Sequence, residues 1–416
     1  MGFGIALSGI DAAQSDLNVT SNNIANSSTT GFKTSTSQFA ELFAVSPQGV
    51  ASTQSGNGVK LEQVQQNFSQ GNITTTGNSL DLALSGSGMF AVSNNGALQY
   101  SRAGAFQTDK SGYVVNATGE RLQVFLPTTT GSFNTTSLAD LQLVTGDSAP
   151  NATTTAQMVY NLPANAAAPV TATFSPTDAT SYNQSTSLTL YDSLGAAHTA
   201  SLYMVKTATP NVWDAYEYMD GNQVNTTPVQ LTYSSGGVLA SVVDAAGGTN
   251  KAAVSFGSYS PAATTGANAM NVSYDLTKTT QYGDTFGVTS VTQDGYTTGK
   301  LSGISVDSTG IVQANYTNGR STALGQVAIA NFANQNGLQQ IANTNWTQTY
   351  ASGAPIYGAA GGSGFGLIQS GSLEESNVDV TAQLVNLITA QRAFQANAQA
   401  ISTENQITQT IINIHS

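Results

Sequence analysis

The amino-acid sequence predicts a mixed, mainly antiparallel β fold, in which two nested β domains stand between long N- and C-terminal α-helices. Both ends of the chain carry apolar residues at helical spacing, whereas the middle has short apolar runs of period two, separated by turn residues. Alternation of period two is typical of half-buried strands, and a heptad repeat is typical of helices that bury a narrow seam. The two terminal helices are therefore expected to form a coiled-coil-like inner assembly domain.

The first predicted element is a helix over residues 1 to about 25, whose apolar stripe has the seven-residue repeat of a coiled coil. The stripe consists of Phe3, Ile10, Leu17 and Ile24. An Asn/Ser/Thr-rich segment that ends at Gly31 predicts the end of this helix. Nothing nearby in the sequence covers the stripe, so it must pack against the other terminus or against another copy of the chain.

The middle of the chain is predicted to be β structure because its apolar residues alternate, as Leu80, Leu82 and Leu84 do, between Asn/Gly-rich turns. A shift toward Ala, Thr, Asn and Pro near residue 147 predicts the entry to a second, inserted domain. The predicted boundaries are 1–30 and 371–416 for the terminal helical assembly domain, 31–71 for an extended connecting arm, 72–147 and 286–370 for an inner β domain, and 148–285 for an inserted outer β domain.

The last predicted element is a helix of about 35 residues, roughly 50 Å long, which exceeds the usual helix of a globular domain. Ser376 or Asn377 is expected to cap it, and the negative charge of Asp379 is expected to complement the helix dipole. Two heptad columns form its predicted subunit-contact seam: Leu384, Gln391, Ala398, Asn405 and Ile412, and Leu387, Phe394, Ile401 and Thr408. Polar residues in such a seam help to set register and partner number. The alternative is a loosely packed helix edge.

The amino-acid composition excludes some classes of function. Only 8% of the residues are charged, against about 25% in an average protein. The net charge is −12 and no Lys/Arg cluster occurs, which argues against nucleic acid or an anionic membrane as a partner. A surface rich in Ser, Thr, Asn, Gln and Gly suits a molecule that packs against its own copies or works outside the cell.

Targeting and redox signals are sparse. The chain has no Cys, which excludes disulfides, thiolate nucleophiles and Cys-ligated metals. The N-terminal apolar stretch is interrupted at Asp11 and has no basic segment before it, so no cleavable Sec signal is predicted. No run of about 18 apolar residues occurs, so no membrane insertion is predicted.

Motifs that could carry chemistry are weak. His198 and Asp192 lack the Gly-x-Ser-x-Gly elbow of a hydrolase triad, and His198 is interpreted as a solvated turn residue. Residues 86–91 match part of a dinucleotide fingerprint, but a strand and a turn are predicted after them instead of a helix. Glu374 and Glu375 adjoin a predicted helix start, where acids are common. No catalytic, cofactor-binding or metal-binding residues are predicted, and the chain is not expected to be an enzyme.

Three segments resemble the bacterial flagellar rod and hook (axial) proteins. The most specific is the N-terminal motif of Asn22, Asn23, Ile24, Ala25 and Asn26, followed by Gly31, Phe32 and Lys33. Residues 371–379 and 391–397 are similar to the matching C-terminal signature, and residues 100–106 to the shared β domain. The chain length and the insert, with residues 191–195 inside it and 293–299 at its exit, are similar to the hook branch of the family.

This resemblance implies a structural subunit of the flagellum basal body and hook, which assembles outside the cell into a curved, flexible helical tube. The tube would be a universal joint that transmits motor torque from rod to filament. Implied partners are copies of the chain, the distal rod protein, the hook cap, the hook-filament junction protein and the flagellar type III export apparatus. Alternatives are a distal rod protein and, outside the family, a secreted β-rich adhesin.

Overall fold

The computed structural model describes residues 2–42, 56–129, 131–143, 146–261 and 266–415. Residues 43–55 of the predicted arm, Phe43 among them, lie outside the described residues. The chain divides into two compact units. Unit 1 comprises Met1–Thr145, Gly303–Asn315 and Ser321–Ser416, and unit 2 comprises Gly146–Ser302 and Tyr316–Arg320.

Two long helices belong to unit 1: α1 (Gly2–Ala25) and α2 (Val380–His415). The start of α2 is capped by Asp379, whose Oδ1 accepts hydrogen bonds from the backbone N–H groups of Thr381 at 2.9 Å and Ala382 at 3.1 Å. The predicted caps, Ser376 and Asn377, were therefore wrong. Asn377 has a different role, described below.

The described strands are short and follow one another closely along the chain. The strands before the large insert are β1 (Ser35–Glu41), β2 (Val59–Gln66), β3 (Ile73–Thr75), β4 (Leu82–Ser85), β5 (Met89–Asn94), β6 (Ala97–Ser101), β7 (Gln107–Thr108), β8 (Val114–Val115), β9 (Arg121–Phe125) and β10 (Ala139–Asp140). Those that follow are β11 (Thr155–Pro163), β12 (Gln184–Tyr191), β13 (Ala197–Lys206), β14 (Val212–Met219), β15 (Asn222–Gln223), β16 (Val229–Tyr233), β17 (Leu239–Val243), β18 (Val254–Tyr259), β19 (Met270–Asp275), β20 (Thr280–Tyr282) and β21 (Gly287–Gln293). The last are β22 (Leu301–Val306), β23 (Ile311–Tyr316), β24 (Ser321–Asn331), β25 (Gln339–Gln340), β26 (Asn345–Thr347), β27 (Ile356–Ala359), β28 (Leu367–Ser370) and β29 (Ser372–Glu374), with a 3₁₀ turn at Gln335–Gly337.

The main sheet of unit 1 has the order β22-β23-β24-β9-β5-β6-β26-β25, with β7, β8, β10 and β27 attached at its sides. Strands from before the insert, β9, β5 and β6, lie between strands from after it, so the insert leaves and re-enters one continuous sheet. Two small pairings, β28 with β4 and β29 with β3, bring the C-terminal segment back to the start of the sheet. The segment 31–71, predicted as an extended arm, contains the antiparallel hairpin β1–β2.

Unit 2 is built from two sheets, one containing β12-β13-β14-β16-β17 and the other β18-β19-β11-β20 with β21 beside β11. Alternate residues of β11 and β13 are buried, as the period-two pattern requires. The core contains large side chains from both sheets, including Trp213, Tyr160, Tyr274 and Phe256, each fully buried.

The predicted fold class, mainly antiparallel β with paired terminal helices, is confirmed. Among the described pairings, the only parallel ones are those of β11 with β19 and with β20. The predicted end of the inserted domain, before residue 286, differs from the end of unit 2. Strand β21 pairs with β11 inside unit 2, and that unit continues to Ser302.

Candidate assembly site at the paired termini

Helices α1 and α2 lie side by side in antiparallel orientation. Asn23 Nδ2 donates to Gln383 Oε1 at 3.2 Å, and Gly9 faces the side chain of Asn397. From Gly9 to Asn23, and from Gln383 to Asn397, the separation is 14 residues on each helix, or two heptads. A Cβ on Gly9 would lie 2.7 Å from Asn397 Oδ1, so the glycine permits the close approach.

The side of α2 that faces α1 follows a heptad repeat. Its most enclosed residues recur at alternating steps of four and three: Gln383, Leu387, Ala390, Phe394, Asn397, Ile401 and Glu404. One predicted column, with Leu387, Phe394 and Ile401, belongs to this seam. The other is one residue out of register, because its true members are small or polar and carry no hydropathy signal.

The residues of the misplaced column lie mostly in solvent. Leu384, Gln391, Asn405 and Ile412 are exposed, and only Ala398 is half-buried. They do not contribute to the contact within the chain in the way the heptad pattern predicted. Their predicted role in contacts between subunits stays a prediction.

The enclosed side of α1 is also built from small and polar residues. Ala13, Thr20 and Asn23 are its buried side chains. The predicted stripe flanks this line: Ile10, Leu17 and Ile24 are half-buried, and Phe3 is exposed. Small side chains let the two backbones approach but bury little apolar area, so the contact between the helices is close and weakly hydrophobic.

A second apolar surface on α2 faces solvent. Leu384, Val385 and Ile388 are exposed to 46%, 59% and 50%, and they lie on the first turns of the helix. On α1, Ile5 and Leu7 are exposed next to Phe3. Exposed apolar side chains that lie close together are typical of surfaces that associate with another molecule. We call Leu384, Val385 and Ile388 the outer seam of α2.

Below the helix pair, the carboxylate of Glu374 joins three distant parts of unit 1. Its Oε1 lies 2.6 Å from Lys33 Nζ, and its Oε2 lies 3.1 Å from Arg102 Nη1. The backbone N–H of Gly71 also donates to Oε1 at 2.9 Å. Glu374 and Lys33 have no exposed side-chain surface, and Arg102 has 5%. We call these three side chains the junction network.

Backbone carbonyls complete the junction network. Lys33 Nζ donates to the Ser69 carbonyl at 2.7 Å, and Arg102 Nη2 donates to the Gly86 carbonyl at 2.6 Å. Burial lowers the pKa of both Lys33 and Arg102, and the carboxylate of Glu374 opposes that effect. Two cations share one acid, so losing the carboxylate would leave buried positive charge without compensation.

Asn377 fastens the same segments a few residues further on. Its Oδ1 accepts from the Thr34 backbone N–H at 2.8 Å, and its Nδ2 donates to the Asn67 carbonyl at 2.8 Å. On the N-terminal side, Asn23 exchanges hydrogen bonds with the backbone of Ser35, at 2.7 and 2.9 Å. The chain is thus held where it leaves α1 and where it enters α2.

The N-terminal motif divides between buried anchors and exposed positions. Asn23, Gly31, Phe32 and Lys33 are buried, Ile24 and Asn26 are half-buried, and Asn22 and Ala25 are exposed. Gly31 has φ +70°, and a Cβ there would lie 2.5 Å from the Ala103 backbone nitrogen, so both conformation and space require glycine.

Sequence reasoning missed Glu374 as the shared partner of Lys33 and Arg102. Glu374 was predicted only to adjoin a helix start, whereas it lies in β29 and is buried. A signal was present: all three charges stand in motif segments, in a chain with few charges. Lys33 and Glu374 are far apart in sequence, so spacing alone could not pair them.

His198 corrects another prediction, because it is buried in unit 2 and is not a solvated turn residue. Its Nδ1 lies 2.6 Å from Asp220 Oδ2 and its Nε2 lies 3.3 Å from Asp192 Oδ2. Burial alone would lower the pKa of His198, but the hydrogen bonds to Asp220 and Asp192 raise it. With both ring nitrogens bound to carboxylates, neither is left to activate a serine.

Glu217 is a second buried titratable group of unit 2. It accepts a hydrogen bond from Tyr274 Oη, and no cation pairs with it in the described part of the chain. Burial raises its pKa to about 7, although the hydrogen bond from Tyr274 acts in the opposite direction. The carboxyl group of Glu217 therefore titrates near neutral pH. Its hydrogen bond with Tyr274 joins β14 of one sheet of unit 2 to β19 of the other.

Four sequence-family models match successive parts of the chain. They are the flagella basal body rod protein at residues 3–33, the flagellar hook protein FlgE/F/G D1 domain at 83–156, the flagellar basal body protein FlaE D2 domain at 161–296, and the flagellar basal body rod FlgEFG protein C-terminal region at 369–414. Each member of the junction network lies in a different one of these matches: Lys33 in the first, Arg102 in the second and Glu374 in the last.

The full-length relatives decide the family. The flagellar hook protein FlgE of Escherichia coli is 37% identical over 422 residues, covering 100% of both chains. This chain belongs to the flagellar hook protein family. The hook protein FlgE of Borreliella burgdorferi is 30% identical over 439 residues, covering 98% of each chain. The crystal structure of Helicobacter pylori hook protein FlgE2 is similar in fold, with a TM-score of 0.51 at 14% identity, over 72% of this chain and 100% of that one.

Proposed function

We propose that this hook-family chain is the building block of the flagellar hook and assembles into a curved, flexible helical tube. The tube acts as a universal joint that transmits motor torque from the rod to the filament. The outer seam of α2 is the observation that carries this proposal. Helix α2 has 36 residues and only one of its sides packs against α1. Leu384, Val385 and Ile388 therefore stay exposed and can contact a neighbouring copy.

The junction network supports torque transmission. A twisting force on the β domains reaches the helices through the segments 31–35 and 372–379. Buried ion pairs and hydrogen bonds hold the two segments to each other and, through Arg102, to the end of β6 in the main sheet. An ordered link of this kind transmits rotation from the β domains to the terminal helices with little deformation. Separating a buried charge from its partners has a high free-energy cost.

Flexibility is assigned to the β domains. Their surfaces are rich in Ser, Thr, Asn and Gln and poor in charge, so contacts between copies are polar and individually weak. Weak contacts can slide as one side of a bent tube shortens and the other lengthens. The helices keep the tube continuous while the outer contacts rearrange.

The partners and the location of the assembled chain follow from the same proposal. Copies of the chain form the tube. The distal rod protein, the hook cap and the hook-filament junction protein meet it during growth, and the type III apparatus exports it without a Sec signal. No described helix is long and apolar enough to span a membrane. We assign the chain a structural role and no catalysis.

Electron microscopy of polymers grown from the purified chain tests the proposal. Curved, supercoiled tubes are expected. Straight, rigid tubes would favour a distal rod protein instead, and a chain that forms no polymer but binds glycans would favour an adhesin. Either result would overturn the hook proposal.

A further inference from the structure

One long segment of unit 1 has no charge. Between Arg320 and Glu374 the chain contains no Asp, Glu, Lys, Arg or His, although the whole chain has a net charge of −12. Like charges oppose association of identical chains, so a charge-free surface is where copies can approach most easily. This segment also carries exposed apolar side chains on strands and loops, including Ile341, Tyr350 and Ile356.

Tyr350 stands on a loop that is itself well fixed. The side chain has a relative exposure of 105%, so it lies entirely in solvent. Beneath it, Ser352 is fully buried and exchanges hydrogen bonds with Thr349, both at 2.9 Å. Thr349 Oγ1 donates to the Gly337 carbonyl at 2.5 Å, and Asn334 Nδ2 donates to the Ala351 carbonyl at 3.1 Å. The loop thus presents an aromatic ring on a pre-organised base, at low entropic cost for binding.

A groove of about 550 Å³ lies elsewhere on unit 1, between the end of α1 and the main sheet. Its apolar lining includes Phe32, Ala103 and Ala117, and its polar lining includes the amides of Asn22 and Asn343. None of its lining residues is charged. Clefts of this size accommodate groups much larger than one aromatic ring, and amides can hydrogen-bond a phenol.

The loop and the groove lie at opposite ends of the β25–β26 hairpin. The turn that joins the two strands contributes Asn343 and Thr344 to the groove, whereas Tyr350 follows the far end of β26. A strand rises about 3.3 Å per residue, so the hairpin separates them within one chain. Because Tyr350 and the groove lie at different ends of the hairpin, a contact between them is assigned to two different copies, arranged head to tail.

We propose that Tyr350 of one copy inserts into this groove of the next copy along the polymer. The inference rests on the proposed function and adds a specific contact to it. The ring packs against Phe32, Ala103 and Ala117, the hydroxyl bonds to the groove amides, and no like charges oppose the contact. A head-to-tail contact of this kind repeats without closing, which is the requirement for a helical polymer. Tyrosine is also among the residues that most often dominate interface energy.

Cysteine cross-linking tests the contact, because the natural chain has no Cys. Tubes of the double variant Tyr350→Cys/Ala117→Cys are oxidised and run on a non-reducing gel. A ladder of covalent multimers is expected. Tubes that mix the two single variants should give dimers and no longer species, since each chain then has one half of the contact. The matched control, Tyr350→Cys/Ala97→Cys, places the second thiol on an exposed alanine of β6 and should give no ladder.

A second measurement uses Tyr350→Ser, which removes the ring from a fully exposed site and should leave the unfolding of the monomer unchanged. Its critical concentration for assembly should rise about tenfold or more, whereas Tyr350→Phe, which keeps the ring and loses only the hydrogen bonds of the hydroxyl, should raise it by less. Normal tubes that give no ladder with Ala117→Cys, or an unchanged critical concentration for Tyr350→Ser, would overturn this contact and leave the hook proposal intact. Absence of tubes from the natural chain would instead overturn the hook proposal.

Discussion

Unit 2 and the terminal helix pair bury their surfaces in opposite ways. Unit 2 encloses Trp213, Tyr160 and Phe256 between two sheets of its own. The helix pair fully buries only small or polar side chains such as Ala13, Thr20 and Ala390, half-buries the larger apolar side chains of its seam, and leaves Leu384 exposed. Burial stabilises by about 25 cal/mol per Å² of apolar surface, so large side chains contribute most. Unit 2 thus buries its large apolar side chains within one chain, whereas the helix pair leaves some of its own exposed, and we propose that other copies cover them.

The largest expected effect comes from removing one half of the helix pair. A chain that ends before Val378 should not form tubes, because both the seam against α1 and the outer seam of α2 are lost. Unit 2 should melt as in the full chain, since its core uses no residue of α2. Sedimentation and electron microscopy measure assembly, and circular dichroism measures melting. Filaments from the truncated chain would show that assembly does not need the helix pair.

Next in size is the effect of Glu374→Gln. The amide cannot balance Lys33 and Arg102, so the free energy of unfolding of unit 1 should fall by about 3 to 5 kcal/mol. Trp346 is buried in unit 1, and its fluorescence reports that unit in a Trp213→Phe background. Glu375→Gln in the same background is the matched control, because Glu375 is the exposed neighbour. Equal stability of the two variants would show that the junction network is not an anchor.

The pH dependence of unit 2 is a somewhat smaller effect. Because the folded state raises the pKa of Glu217 to about 7 from its usual 4.5, it binds more protons than the unfolded state between those values. Stability is therefore fully present below pH 4.5 and falls, by about 3 kcal/mol, as pH rises through 7. The raised pKa of His198 acts in the same direction, above pH 6.5.

Denaturant unfolding followed by Trp213 fluorescence in a Trp346→Phe background measures this dependence. Glu217→Gln should remove most of the slope between pH 4.5 and 7, because the amide stays neutral. Asp284→Asn, which changes an exposed acid of unit 2, should leave the slope unchanged. A slope that survives in Glu217→Gln would assign the dependence to other groups.

Sequence patterns predicted the parts of this structure that have an apolar period. Leu387, Phe394 and Ile401 were placed in the seam because large apolar residues at seven-residue spacing leave few alternatives. Gln383 and Asn397 were not, because a polar residue becomes a seam member only through its partner, here Asn23 and Gly9. The heptad pattern therefore found two helices and half of their contact.

Buried charges were harder to predict for the same reason. Lys33 was identified as part of a motif, but its partner Glu374 lies at the other end of the chain. His198 was interpreted from its place next to a turn, whereas Asp220, which holds it, follows a different strand. In both cases the role of a charged side chain depends on a long-range contact that periodicity does not describe.

We propose that α2 has two sides: one packs against α1 within the chain, and the other is covered only when copies assemble. Thiol alkylation rates of Leu384→Cys and Leu387→Cys, measured in the monomer and in tubes, distinguish the two sides. We expect Leu384→Cys to react rapidly in the monomer and to become strongly protected in tubes. Leu387→Cys should react more slowly in the monomer and change less. Equal reactivity of Leu384→Cys in monomer and tube would contradict the claim.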